Sequence, residues 1–336
     1  MDLNTGNARA YMPSIQEKCS NPSITVVVPV YRATRYIATA MDSALAQTFT
    51  DYEIIVVNDG CPDTAELERI LSHYAGKLVY IKQENKGPGG ARNAGVRAAR
   101  GRFIAFLDAD DYWAPNYLSE QMLFLARNPC ADMVYSDALL VGDSPLAGQT
   151  FMETTPSAGT VDFENLLTGY CTVILSGTVV RKQRILDVGL FDENLRRAED
   201  YDLWLRLARS KAAIRYHRKV LLFRRELSTA LCADKTSLFL DEVRVLAKAA
   251  RQAPLSPSQQ EKTLMQIEKM KAAIHLEQCK IFFERKEFLE AAVALRKAND
   301  VYKSWKLRLV LISLQLSPGL LLQVHKYIRR KAIGAA

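Results

Sequence analysis

Four polar clusters in this 336-residue chain carry side chains able to do chemistry. Asp108, Asp110 and Asp111 follow the apolar run FIAFL at 103–107. Asn58, Asp59 and Gly60 follow IIVV at 54–57, and Pro29, Val30 and Tyr31 follow ITVVV at 24–28. Side chains two apart on an extended segment point the same way, so Asp108 and Asp110 can converge on one cation, while without it their mutual repulsion opposes the arrangement. Paired carboxylates suit Mg2+ or Mn2+, hard ions that keep several waters and take further ligands from substrate phosphates. A second reading stands beside the first, because Asp110 and Asp111 precede a helical pattern at 116–127 and could cap it. The fourth cluster is Glu199-Asp200, followed by Tyr201, Asp202 and the apolar helical spacing of Leu203, Trp204, Leu205 and Leu207. It can supply a general base, or it can favour a helix N-terminus through capping and the macrodipole.

The elements that position these clusters follow from periodicity. The runs at 24–28, 54–57 and 103–107 are nearly continuous in apolar residues, as strands buried on both faces are, and 78–82 and 133–141 add two more strands. Helical spacing at 33–47, 64–74 and 90–99 alternates with them, which predicts a doubly wound α/β layer. In such sheets ligands bind beyond the carboxyl ends of the strands, so three of the clusters meet at one edge. Each residue also has a purely structural reading: Pro29 as a strand end, Tyr31 as core, Asp59-Gly60 as a turn, Arg92 as a solvated helix residue. Their coincidence at one edge argues for a site. Residues 142–159, rich in turn formers, read as a mobile loop. Beyond about residue 228 the pattern is helical at 235–250, 258–285, 287–299 and 305–330. The pair flanking Arg285-Lys286-Glu287 looks like one tetratricopeptide-like hairpin without a second copy. The expected organisation is an N-terminal extension at 1–22, an α/β domain at 23–228 and an all-helical domain with a basic amphipathic tail at 229–336.

Composition narrows the function. A length of 336 residues with 49% apolar composition supports two cores. The cysteines at 19, 61, 130, 171, 232 and 279 show no metal or redox spacing, and the N-terminus lacks a secretory layout, which points to a reducing cytoplasm. No run of apolar residues is long enough to span a bilayer. The net charge of +8 is concentrated late, in Lys303, Lys306, Arg308, Lys326, Arg329, Arg330 and Lys331, with no acidic residue among them. With no zinc-finger, basic-zipper or aromatic RNA-binding pattern elsewhere, nucleic acid is not the expected partner. Residues 303–336 mix leucines, Trp305 and cations, as helices lying on an anionic membrane surface do, or as a helical pair packed on its own domain does. Gly87, Gly89 and Gly90 do not form a dinucleotide fingerprint because Arg92 takes its last position, and neither a phosphate loop nor a serine nucleophile elbow occurs.

Taken together, ITVVVPVYRATRYIATAMDSALAQTFTDYEIIVVNDGCPD, ENKGPGGARNAGVRAARGRFIAFLDADD and GLFDENLRRAEDYDLWLRLA resemble the family 2 glycosyltransferases, whose catalytic domain has the GT-A nucleotide-diphospho-sugar transferase fold, Rossmann-like with a mostly parallel sheet. The resemblance covers about residues 23–225. It implies that Pro29, Tyr31 and Asp59 hold the nucleobase, usually uracil, that Asp108 serves the ribose or the metal, and that Asp110 ligates the cation bridging the diphosphate. Arg92 becomes a nucleotide contact, Asp200 the general base, and Glu199 its support. The implied activity is inverting, metal-dependent transfer of a sugar from a nucleotide diphosphate, usually UDP, to a hydroxyl of a surface glycan or lipid-linked glycan. A chain of this kind would work in the cytoplasm or on the inner face of the membrane. Processive relatives carry Gln-x-x-Arg-Trp after the base and membrane helices; neither is present here, which implies single-residue addition. Many relatives place a histidine late in the domain, where this chain reads FRRELST with Glu226 near that position. Two rivals remain: a sugar nucleotidyltransferase, disfavoured because PVYRATRY lacks its glycine-rich loop, and a catalytically idle nucleotide-sugar-binding scaffold, disfavoured by the intact carboxylates.

Overall fold

The structure, a computed structural model, describes residues 21–155, 157–226, 234–252 and 255–319. Residues 1–20 of the N-terminal extension and the tail beyond 319 therefore lie outside the described residues. Two compact units divide after Ser228.

The first unit is an eight-stranded mixed sheet in the order β3-β2-β1-β4-β7-β6-β8-β5. In chain order it runs β1 (Ile24–Val30), α1 (Ile37–Leu45), β2 (Tyr52–Asp59), α2 (Thr64–Leu71), β3 (Val79–Gln83), α3 (Gly87–Ala98) and β4 (Phe103–Phe106). Then come β5 (Tyr112–Trp113), α4 (Tyr117–Arg127), β6 (Met133–Gly142), α5 (Phe151–Thr154), α6 (Phe163–Leu167), β7 (Thr178–Arg181), α7 (Lys182–Asp187), α8 (Glu199–Arg209) and β8 (Ile214–Glu226). The first four strands are parallel. β7 is antiparallel to both neighbours and β5 is antiparallel to β8, while β8 runs parallel to β6.

Alternation sets the layers. Ile24, Val26, Val28 and Val30 of β1 join Ile54 and Val56 of β2 in a core completed by Ile37, Met41 and Ala44 of α1 and Leu67 of α2. Each of these Ile, Val, Leu and Met side chains contributes about 1.5–3 kcal/mol when fully buried. Val27 points to the other face, where Gly95 of α3 lets the helix backbone approach: a Cβ on Gly95 would lie 2.4 Å from Val27 Cγ1. Two expectations change in detail. α1 begins at Ile37, because Arg32 takes a left-handed φ of 53° and its amide donates to Cys61 Sγ at 3.1 Å, holding the preceding residues in a turn. The stretch read as a loop at 142–159 contains α5, capped by Thr150 and Glu153 in a reciprocal box, with a bridge from Thr150 back to Leu139.

The second unit is helical: α9 (Lys235–Gln252), α10 (Pro257–Glu284), α11 (Phe288–Tyr302) and α12 (Trp305–Leu316). Ser256 and Gln259 cap α10 reciprocally. At the α10–α11 turn Lys286 takes a φ of 64°, so the Lys286 and Glu287 amides reach back to Phe283 and Phe282 carbonyls. Among the described residues no helix is long and apolar enough to cross a membrane.

Candidate active site

Because β1, β2 and β4 are parallel and in register, their carboxyl ends open on one edge. Pro29 is half-buried near the end of β1, paired with Val57, and the Tyr31 ring just beyond it is 45% exposed, which removes its core reading. At the end of β2, Asp59 is buried, and its Oδ1 accepts hydrogen bonds from Gln83 Nε2 at 2.7 Å and the Lys86 amide at 2.8 Å. Gly60 follows with a φ of 66°, and a Cβ there would meet the Asn85 amide nitrogen at 2.8 Å, so this turn requires glycine.

The other end of the site is organised by Arg92 of α3. Its buried guanidinium donates from Nη2 to Asp108 Oδ1 at 2.6 Å and from Nη1 to Glu199 Oε1. One side chain thus joins the end of β4 to the start of α8. Asn93 reinforces the contact, accepting from the Phe191 amide and donating to the Phe191 carbonyl, both at 2.9 Å. Gly89 permits the approach, since a Cβ would sit 3.3 Å from the Asp192 carbonyl oxygen. Gly89, one of the glycines that fail as a dinucleotide fingerprint, therefore lets α3 close against the loop at 191–192 and the start of α8.

The Asp108–Asp111 turn is fixed from several directions. The Asp111 amide donates to the Asp108 carbonyl at 3.0 Å, the Asp108 amide donates to Ser176 Oγ at 3.1 Å, and the Arg225 amide donates to Asp111 Oδ1 at 2.9 Å. The helix-cap reading of Asp110 and Asp111 fails, because β5 intervenes and Asn116 occupies the N-cap of α4. Glu199 and Asp200 do occupy the first turn of α8, and Asp200 Oδ1 accepts from the Tyr201 amide at 2.8 Å. A helix start and a chemical role coexist there.

Charges crowd at this edge. Burial, and then the negative charge of Asp108, push Asp110 up to about 6. Burial and the charges of Asp110 and Asp108 raise Asp111 well above the usual carboxylate range. Burial raises Glu199 to about 7 against the pull of Arg92, and burial also raises Asp200, opposed by Arg92 and assisted by Asp108. For Arg92 burial disfavours the charge, but Asp108, Glu199 and Asp200 outweigh it and hold the guanidinium above its ordinary range. Arg92, Asp108, Asp110, Asp111, Glu199, Asp200 and Arg224 thus form one electrostatic cluster.

Among the described residues no group of three or more His, Cys, Asp or Glu converges as a ready-made metal cage. What the chain offers is a pair of carboxylates, Asp108 and Asp110, whose mutual repulsion already favours positive charge. That donor set fits a hard divalent ion completed by water and phosphate, and it does not fit a structural zinc.

Sequence reading missed Arg224 and Arg225 on β8. Arg224 acts electrostatically on Asp110, Asp111 and Asp200, and Arg225 lies 5.1 Å from each of the Tyr36 and Tyr112 ring centroids. The signal was FRRE itself, where the apolar run VLLF at 220–223 ends. Glu226 lies 3.7 Å from Arg224, and the residues following it to 233 are outside the described residues. His217 sits in β8 with Nδ1 3.3 Å from Gln121 Oε1 and its ring against Phe124, and the carboxylate acting on it is that of Glu120.

Residues 25–145 match the family model described as glycosyl transferase family 2. The glycosyltransferase RP339 of Rickettsia prowazekii is 31% identical over 215 residues, covering 62% of this chain and 65% of that protein. The amylovoran biosynthesis glycosyltransferase AmsB of Erwinia amylovora is 30% identical over 195 residues, covering 55% of this chain and 63% of AmsB. A longer relative from Rickettsia bellii is matched over 34% of its length, so the chain spans between about a third and just under two thirds of these relatives. Among solved structures, S. aureus TarS 1-349 with UDP-GlcNAc superposes with a TM-score of 0.61 at 19% identity, over 92% of each chain. The mannosyltransferase PcManGT from Pyrobaculum calidifontis, with GDP-Man and Mn2+, gives 0.59 at 18% identity over 94% of this chain and 86% of its own. At that identity the superpositions establish the fold, which is of GT-A type.

Proposed function

From the match of residues 25–145 to the glycosyl transferase family 2 model, we propose that this chain moves one sugar from a nucleotide diphosphate, UDP in the first instance, onto a hydroxyl of a surface glycan or lipid-linked glycan. The observation that carries this reading is the Arg92 bridge, which brings the acidic turn after β4 and the Glu199-Asp200 pair to one edge. Pro29, Tyr31 and Asp59 frame the nucleobase at the ends of β1 and β2. Asp108 and Asp110 would hold a Mg2+ or Mn2+ ion, which when bound stabilises the negative charge of the departing diphosphate. Arg224 and Arg225 add positive charge beside them. Asp200 Oδ takes the proton of the acceptor hydroxyl as its oxygen bonds to the anomeric carbon, while the bond from that carbon to the diphosphate oxygen breaks and the nucleoside diphosphate leaves. Attack opposite the leaving group inverts the anomeric centre.

Burial makes Asp200 a stronger base than a solvated aspartate, and base catalysis of this kind is worth about 10²–10⁴-fold. Glu199 stays on Arg92 and fixes the direction in which Asp200 points. The names of AmsB and TarS's bound UDP-GlcNAc support a polysaccharide acceptor and a UDP-sugar donor.

A thermal-shift panel of UDP-, GDP- and dTDP-sugars, each with and without Mn2+, tests the proposal. The matching donor at about 100 times its Kd should add about 2.7 kcal/mol of stability, and Asp110→Ala should remove the Mn2+-dependent part. A parent chain that no nucleotide sugar stabilises, or that binds equally well with and without metal, sinks it.

A further inference from the structure

Helix α12 is apolar on two opposite sides. Leu314 is buried and Leu311 packs beside it against the cluster containing Ala291, Phe282 and Phe288, which accounts for one side. Trp305, Leu309, Ile312 and Leu316 recur at i, i+4, i+7 and i+11, so they line a single stripe on the far side. These four are 67%, 54%, 43% and 80% exposed. Lys306 flanks the stripe on one side, with its Nζ 6.0 Å from the Trp305 ring centroid, and Arg308 flanks it on the other. An exposed row of large apolar side chains marks a surface that is covered in use.

Charge decides what covers it. From 303 to the last residue the sequence holds seven Lys and Arg and no Asp or Glu. A second copy docked on the same stripe would bring Lys306 and Arg308 of both copies to one interface, with no Asp or Glu on α12 to pair with them. An anionic bilayer takes both features together, the stripe among the acyl chains and the cations at the headgroups. No described helix is built to cross a bilayer, and Trp305 at the stripe's end is a residue type favoured at the membrane interface. We propose that α12 docks the chain in the plane of an anionic phospholipid surface through Trp305, Leu309, Ile312 and Leu316, with Lys306 and Arg308 pairing to lipid phosphates. This inference stands apart from the catalytic reading, since it uses neither the donor nor the carboxylates.

The full chain should sediment with phosphatidylglycerol-containing vesicles and not with vesicles of phosphatidylcholine alone. K306Q with R308Q should weaken that partition about 30-fold, at about 1 kcal/mol per cation. W305S with I312S should weaken it roughly tenfold or more with the melting temperature unchanged, because both side chains already face solvent. Undiminished binding by the second pair would overturn the proposal, as would equal sedimentation of the parent with neutral vesicles. A parent that ignores vesicles but forms a dimer in light scattering, abolished by W305S with I312S, would assign the stripe to a second copy and overturn it too.

Discussion

Two kinds of ion pair, one taken from each unit, are built on opposite principles. In the α/β unit the decisive ion pairs are buried and join residues distant in sequence: Arg92 reaches Glu199 across 107 positions, with 6% and 8% of the two side chains exposed. In the helical unit Lys271 pairs with Glu268 and Lys280 with Glu277, each three residues apart on α10 and with the lysines open to water. A buried, long-range pair must be satisfied for the fold to close, and it orients whatever is attached to its partners. A local pair on a solvated helix face contributes a few tenths of a kcal/mol and positions nothing beyond itself. The contrast therefore separates a site from a surface.

The sharpest way to break that contrast is at Asp200. Asp200→Asn should lower the rate of sugar transfer by about 10²–10⁴-fold, equivalent to roughly 3–5 kcal/mol of barrier, while nucleotide-sugar affinity by calorimetry stays nearly unchanged. Unchanged transfer would discard Asp200 as the base. Next in size is Arg92→Ala, which strands Glu199 and Asp108 and should cost about 3–5 kcal/mol in urea unfolding. The cost should depend on pH with a definite sign. Glu199 already titrates above an unfolded carboxylate, so its penalty is absent where it is protonated in both states and grows as the pH rises through about 7. A deficit that shrinks with rising pH would show that Glu199 is not the stranded partner. Smallest of all is Glu268→Gln, expected to change stability by less than about 0.5 kcal/mol; a larger loss would erase the distinction between the units.

The same contrast explains what the sequence disclosed. Strand ends were legible because β1, β2 and β4 are buried on both faces, so their apolar runs stop where Pro29, Asn58 and Asp108 begin. The Glu199-Asp200 pair was legible as a helix start because the dipole effect acts within one turn, although Ala198 and not either carboxylate occupies the N-cap. The partner of Arg92 was not, since nothing local links residue 92 to residue 199. The antiparallel β7 escaped notice for a related reason: TVVR at 178–181 is short, and its direction is set by β4 and β6 on either side. Helix α5 could have been read from Thr150 and Glu153 at capping-box spacing, but the turn formers around it masked the signal. The requirement for Gly95 comes wholly from Val27, a contact with no trace in its own neighbourhood of the sequence.

One contact also sets a rule for anyone who would rebuild this molecule. Since the opening turn of α8 is moored by a guanidinium belonging to α3, a segment spanning 191–209 cannot be transplanted from another chain on its own. The graft must travel with its arginine and with the asparagine beside it, or the imported carboxylates will arrive without an anchor.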